Sequence, residues 1–357
     1  MNYEEFKEAF KEDLKKGFDD KEIDVTVTEH SVEKLNHNYE AITIRPEGQN
    51  IGVTLDAGRY FEVYEDGKDY EELVSLAVDT AVKGLEEQPN IDIPSLTDYE
   101  QMKEKLTIEV VSTEANEQML EKVPHRELED LSIVYRLMVD ESPEGMASIV
   151  VNNDILEQLG VTPEQLHEDA MKNSPELKPV KIASMAEVLM EMNHLAPEDL
   201  EMMGMSAAPE DQVMFIASVP NYTLGAGVIA YENFMEMASE ATGGGDIFVL
   251  PSSRHEVIIV PDNGMIDASD LVDMVKTVNA SEVEPEDKLT DSVYHYDSKD
   301  KIFELSEKYE KRMADKELGA EKGDKDSVLD DLKTKQRETC HQAKKDSANK
   351  SKGEASL

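Results

Sequence analysis

Apolar side chains in this chain change their spacing along its length, and that alternation constrains the fold more than any other feature. Tyr3, Phe6, Phe10 and Leu14 recur three and four residues apart, which places them on one face of a helix over 3–16, with Gly17 as its C-terminal stop. Ile23-Asp24-Val25-Thr26-Val27-Thr28 then alternates at period two, and Ala41–Ile44 and Ile51–Leu55 are short β-branched runs bounded by turn residues. The helical spacing returns over Tyr70–Leu85 through Leu73, Val74, Ala77, Val78, Ala81 and Val82, in a helix expected to cover one face of the three strands. The order α-β-β-β-α is an α+β unit, and it predicts a first domain over 1–94.

Pro89 and Pro94 mark a linker at 86–96, and a larger mixed α+β domain is expected over 95–305. It opens with a helix at Tyr99–Lys105 and a strand at Leu106–Val111. A strand at Ser132–Val139 pairs with Met146–Val151 across Ser142-Pro143-Glu144-Gly145. Asn153-Asp154 begins a short helix that Gly160 ends. Thr162-Pro163-Glu164-Gln165 reads as a capping box with proline at the first helical position. Ser184–Met192 is helical and 193–211 irregular. Further on come a strand at Val213–Val219, a helix at Tyr231–Ala241 broken by Gly243-Gly244-Gly245, and a helix from Asp267 to about Val278. Ile247–Leu250 and Val257–Val260 are apolar throughout, as strands buried on both faces would be. They flank Pro251-Ser252-Ser253-Arg254-His255-Glu256, a hairpin with a polar tip. Leu289–Asp297 and a strand or turn at Lys301–Leu305 close the folded part. In the tail, 306–357, the only aliphatic side chains beyond alanine from Glu321 onward are Val328, Leu329, Leu332 and Leu357. Disorder is expected from 320, since so little apolar area cannot offset ordering entropy.

Charge excludes whole classes of partner. The chain holds 79 Asp and Glu against 36 Lys and Arg, a formal net charge of −43. Residues 1–300 carry 66 of the acids and only 22 of the bases, and the mild basic excess of 333–352 lies in the tail. Phosphate polyanions are bound by cations that displace counterions, so nucleic acid and anionic membrane surfaces are not expected partners. No apolar run of 18 residues is present, and acids stand where a signal peptide needs bases, so a cytoplasmic place is expected. Cys340 is the single cysteine and can form neither an internal disulfide nor a cysteine zinc site. The eight histidines are scattered, no calcium-loop spacing occurs, and the glycine clusters lack the strand–glycine–helix order of phosphate loops. No metal and no cofactor are therefore expected.

Three late stretches, Ala230-Tyr231-Glu232-Asn233, Leu250-Pro251-Ser252-Ser253-Arg254-His255 and Leu289-Thr290-Asp291-Ser292-Val293-Tyr294-His295-Tyr296-Asp297, resemble a family of uncharacterised proteins of anaerobic Gram-positive bacteria, often met on mobile elements. A second uncharacterised family of low-GC Gram-positive bacteria is more distantly similar. The resemblance implies a fold and a cytoplasmic, mobile-element setting, and assigns no catalytic residue.

The candidate site residues are Ser252, Arg254, His255, His295 and Asp297. The hairpin tip reads either as a solvated turn or as an anion or carboxylate site clamped by Arg254, which binds through a planar fork. In the second reading Ser252, Arg254 and His295 share one pocket, and Arg254 is replaceable without loss of folding. His295 and Asp297, two apart on a strand, either form an acid–base dyad or belong to a closing strand with His295 at its edge. Met185, Met190, Met192, Met202, Met203, Met205 and Met214 crowd one region, either as filling of an irregular core or as an adaptable contact surface. The expectation is a non-enzymatic protein acting through an unidentified protein partner. Its alternatives are a DNA mimic, whose carboxylates imitate phosphates, and an enzyme or anion-binding protein using Arg254, His255 and His295.

Overall fold

A computed structural model of the chain describes residues 1–35, 37–48, 52–87, 98–142, 145–208 and 211–316. Met1–Phe303 forms one compact unit and Glu304–Leu357 a second, so the region expected as a separate 1–94 domain shares its unit with residues up to 303. In the second unit residues 306–316 are helical and Arg312 pairs with Glu304 at 2.6 Å. The expected disorder from 320 falls on residues outside those described, as does most of the 86–96 linker.

The α+β reading holds. Helix α1 (Tyr3–Asp20) precedes an antiparallel sheet of β1 (Val25–Lys34), β2 (His37–Pro46) and β3 (Val53–Asp56), followed by α2 (Ala57–Glu65) and α3 (Tyr70–Glu86). Phe6, Phe10, Leu14 and Phe18 of α1 pack with Ile42, Ile44, Leu55, Leu73, Ala77, Val78 and Ala81 in one core. Helix α1 does not stop at Gly17. It runs one turn further because Phe18 continues the buried stripe, and Gly17 is there for proximity: a Cβ on it would lie 2.6 Å from Val78 Cγ2. Helix α2 was not expected. Asp56 caps it by accepting from Arg59 N–H at 3.1 Å. Strands β1 and β2 run well beyond their apolar parts, in register as far as Lys34 opposite His37. The polar arm carries Leu35 into a second core with Val111, Leu120, Val123 and Val134.

The second sheet follows α4 (Tyr99–Met102). Its strands are β4 (Leu106–Ser112), β5 (His125–Leu128), β6 (Leu131–Ser142) and β7 (Gly145–Val150), with the four-residue α5 (Glu117–Leu120) between β4 and β5. The long β6 pairs with β4 on one side, and with β5 and then β7 on the other. Helices α6 (Asn153–Leu159) and α7 (Pro163–Leu177) follow, with Gly160 left-handed at φ 69°. Thr162 caps α7 through Gln165 N–H, but the Gln165 amide turns to Asp169, so only half of the expected box forms.

The third sheet has the order β13-β12-β10-β11-β9-β8. Its strands are β8 (Lys181–Ser184), β9 (Phe215–Ser218), β10 (Ile247–Leu250), β11 (Val257–Pro261), β12 (Tyr294–Asp297) and β13 (Ile302–Leu305). Helices α8 (Met185–Asn193) and α9 (Pro197–Met202) lie between β8 and β9, so part of the stretch expected to be irregular is helical. Helix α10 (Phe234–Ala241) precedes β10, and α11 (Ala268–Ser281) follows β11. The β10–β11 hairpin is central and largely buried, as its unbroken apolar runs require. No described helix is long and apolar enough to cross a membrane.

Candidate functional site

Strand β4 is buried along its whole length, and alternation sends Thr107 and Glu109 to the same face. A lone carboxylate in such a place must be paired. Antiparallel register sets Arg136 of β6 opposite Thr107. The Arg136 guanidinium donates from Nη1 to Glu109 Oε2 at 2.6 Å and from Nε to Ser148 Oγ at 2.8 Å. The other Glu109 oxygen accepts from Nη2 of Arg254. Burial pushes the Glu109 carboxyl up, but the two guanidiniums more than reverse this and hold it below its ordinary range.

The tip that supplies Arg254 is not a solvated turn. Ser252 and Ser253 are buried and Arg254 nearly so. Backbone hydrogen bonds clamp the tip from both sides. Arg254 N–H donates to Asp287 C=O at 2.8 Å and Leu289 N–H to Ser252 C=O at 3.0 Å, while Gly225 and Ala226 N–H donate to the carbonyls of His255 and Arg254. Gly225 must lack a side chain, since a Cβ there would lie 2.5 Å from the His255 carbonyl oxygen. His255 Nδ1 accepts from Leu224 N–H at 3.3 Å, which leaves Nε2 to donate to Asp287 at 3.0 Å. Arg254 therefore does clamp a carboxylate, but that carboxylate is internal.

A third cation completes the cluster. Lys178, just past the C-terminus of α7, is 5% exposed and within Coulombic reach of Glu109, Arg136 and Arg254. The Tyr231 hydroxyl donates to the Lys178 carbonyl at 3.1 Å and fixes its backbone. Among the described residues, Lys178 Nζ, Arg254 Nε and Thr107 Oγ1 are buried with no hydrogen-bond partner. Burial brings the Lys178 pKa down to about 8; Glu109 opposes the shift and the two arginines add to it. On its outer side Arg254 reaches a cleft of about 770 Å³, whose walls carry Glu40, Asp56, Glu62, Glu284 and Glu286.

His295 and Asp297 lie elsewhere. His295 is fully buried rather than at an edge, because β13 pairs outside β12. It faces Phe248 in the ladder, and its Nε2 meets Asp262 Oδ2 at 3.0 Å. Asp297 instead accepts from the N–H groups of Lys299 and Asp300 and shapes a turn. Asp262 follows the end of β11, away from the tip, so the hairpin separates this pair from Ser252, Arg254 and His255 rather than joining them. The rest of the 289–297 stretch is a fastening. Thr290, Ser292 and Tyr294 all donate their hydroxyls to Asp130, between β5 and β6.

Glu109, Arg136 and Lys178 were missed by sequence reasoning, although Glu109 stands alone as a charge in β4 and Arg136 in the apolar run Leu131–Val139 of β6. A model of a family of unknown function, DUF5688, matches residues 3–298. No curated protein and no solved structure matches the chain.

Proposed function

The chain belongs to the DUF5688 family over residues 3–298, a family of unknown function, and we propose that it is a non-enzymatic cytoplasmic protein acting through protein–protein contacts in the biology of a mobile element. One observation carries this reading. Met192, Met202 and Met203, on and just after α8 and α9, are 66%, 87% and 63% exposed, and Val213 beside β9 is exposed as well. Core filling would bury such side chains, whereas flexible, polarizable thioethers at a surface suit an adaptable contact. Exposed Glu191, Glu198, Asp199 and Glu201 stand among them. The partner chemistry that fits is an amphipathic segment with an apolar face and a basic flank.

The test is titration of the full chain with a basic amphipathic helical peptide, followed by affinity capture from the host. The comparison is a Met192→Gln, Met202→Gln, Met203→Gln variant, which should keep the wild-type melting temperature because these side chains lie outside the core. Binding weakened about tenfold or more in the variant supports the reading, since burying two or three such side chains is worth more than one factor of ten. Equal binding by both proteins, or by neither, overturns it. Capture of a DNA-binding enzyme that duplex DNA displaces, with the variant as effective as wild type, indicates the DNA mimic instead.

A further inference from the structure

The interior cluster is unbalanced in both charge and hydrogen bonding. It gathers two guanidiniums and an ammonium around a single carboxylate. Glu109 takes one arginine on each oxygen, and no hydrogen bond joins it to Lys178 Nζ. Lys178 Nζ and Arg254 Nε can only donate, and among the described residues neither has an acceptor. The Thr107 hydroxyl, on the same strand face as Glu109, is likewise buried without a partner. A buried ammonium that shares one carboxylate with two guanidiniums and has no acceptor of its own is a costly arrangement for a fold to hold.

We propose that Lys178, Arg254 and Thr107 form an internal binding site for one small monovalent anion, of the size of a halide or formate, which supplies the missing acceptor. One such anion halves the cluster's excess of positive charge. Burial limits its size, and the cleft outside Arg254, where the five carboxylates outnumber Lys34 and Arg59, opposes entry of a multiply charged anion such as phosphate. The site is separate from the methionine surface, so its failure leaves the protein-contact reading untouched.

Thermal unfolding of the full chain at pH 7 and fixed ionic strength tests this, with sodium formate or chloride replacing the salt of a bulky sulfonate. The expected result is a melting temperature higher by about 3 °C or more in the small anion, because a ligand that binds only the native state stabilises by mass action. Lys178→Met should fold and lose that difference. Equal melting in the two salts, or the same difference in Lys178→Met, overturns the proposal. If that variant does not fold, bromide-soaked crystals of the wild type decide. An anomalous peak in contact with Lys178 Nζ supports the site, and no peak there ends it.

Discussion

Glu109 is a residue whose removal should cost more than its presence contributes. Glu109→Gln leaves two buried guanidiniums facing an amide, and Arg254→Ala leaves the carboxylate with one partner. Each should lower unfolding free energy by about 3–5 kcal/mol in urea denaturation. Arg254 is therefore not replaceable without loss, contrary to what a solvated hairpin tip implies. Lys178 gives a signature in pH. The unfolded lysine keeps its proton up to about 10.5 and the folded one releases it near 8. Between those values the unfolded state binds more protons, so this residue makes stability rise with pH, by on the order of 3 kcal/mol in total. The wild-type minus Lys178→Met difference in unfolding free energy, followed from pH 7 to 10.5 in the bulky sulfonate salt, should climb by that order. A flat difference would show that Lys178 is not held in a depressed state. Part of this site was legible beforehand. Arg254 could be read as a carboxylate clamp because guanidinium chemistry is local. Its partner could not, because 145 residues separate Arg254 from Glu109 and no sequence spacing encodes that meeting.

Elements were legible where one face is apolar and illegible where their purpose lies at a distance. Helices α3 and α7 and the β10–β11 hairpin follow directly from period, caps and unbroken apolar runs. The outer half of the β1–β2 arm does not, because most of its residues are polar and its reward is remote: Leu35, seated in the next core. Gly17 misled for a related reason. A glycine after an amphipathic run signals a helix end, yet here it permits close approach of α1 and α3. Gly17→Ala should improve helix propensity by about 1 kcal/mol. The new methyl would meet Val78, which is itself buried and stiff at χ1, so a net loss of about 1–2 kcal/mol is expected. Adding Val78→Ala should recover part of the Gly17→Ala loss. A stabilised single variant in urea denaturation would return Gly17 to the role of a helix terminator.

At the scale of the whole molecule, 79 acidic side chains against 36 basic ones set a self-repulsion that folding must overcome. Melting temperature should rise by about 5 °C between roughly 10 and 200 mM of a bulky-anion salt, as screening shortens the reach of that repulsion. Wild type and Lys178→Met should respond alike, because the effect belongs to the surface and not to the cluster. The cluster has a consequence in time as well. Arg136 follows Glu109 by 27 residues, whereas Arg254 follows it by 145. At synthesis rates of about 5–20 residues per second, the nascent chain carries Glu109 with its first guanidinium for roughly ten seconds before the second guanidinium is made. During that interval the middle sheet has its strands but not its seal. Translation speed between those two arginines thus sets how long a carboxylate with one oxygen still unpaired stays open to water and to chaperones.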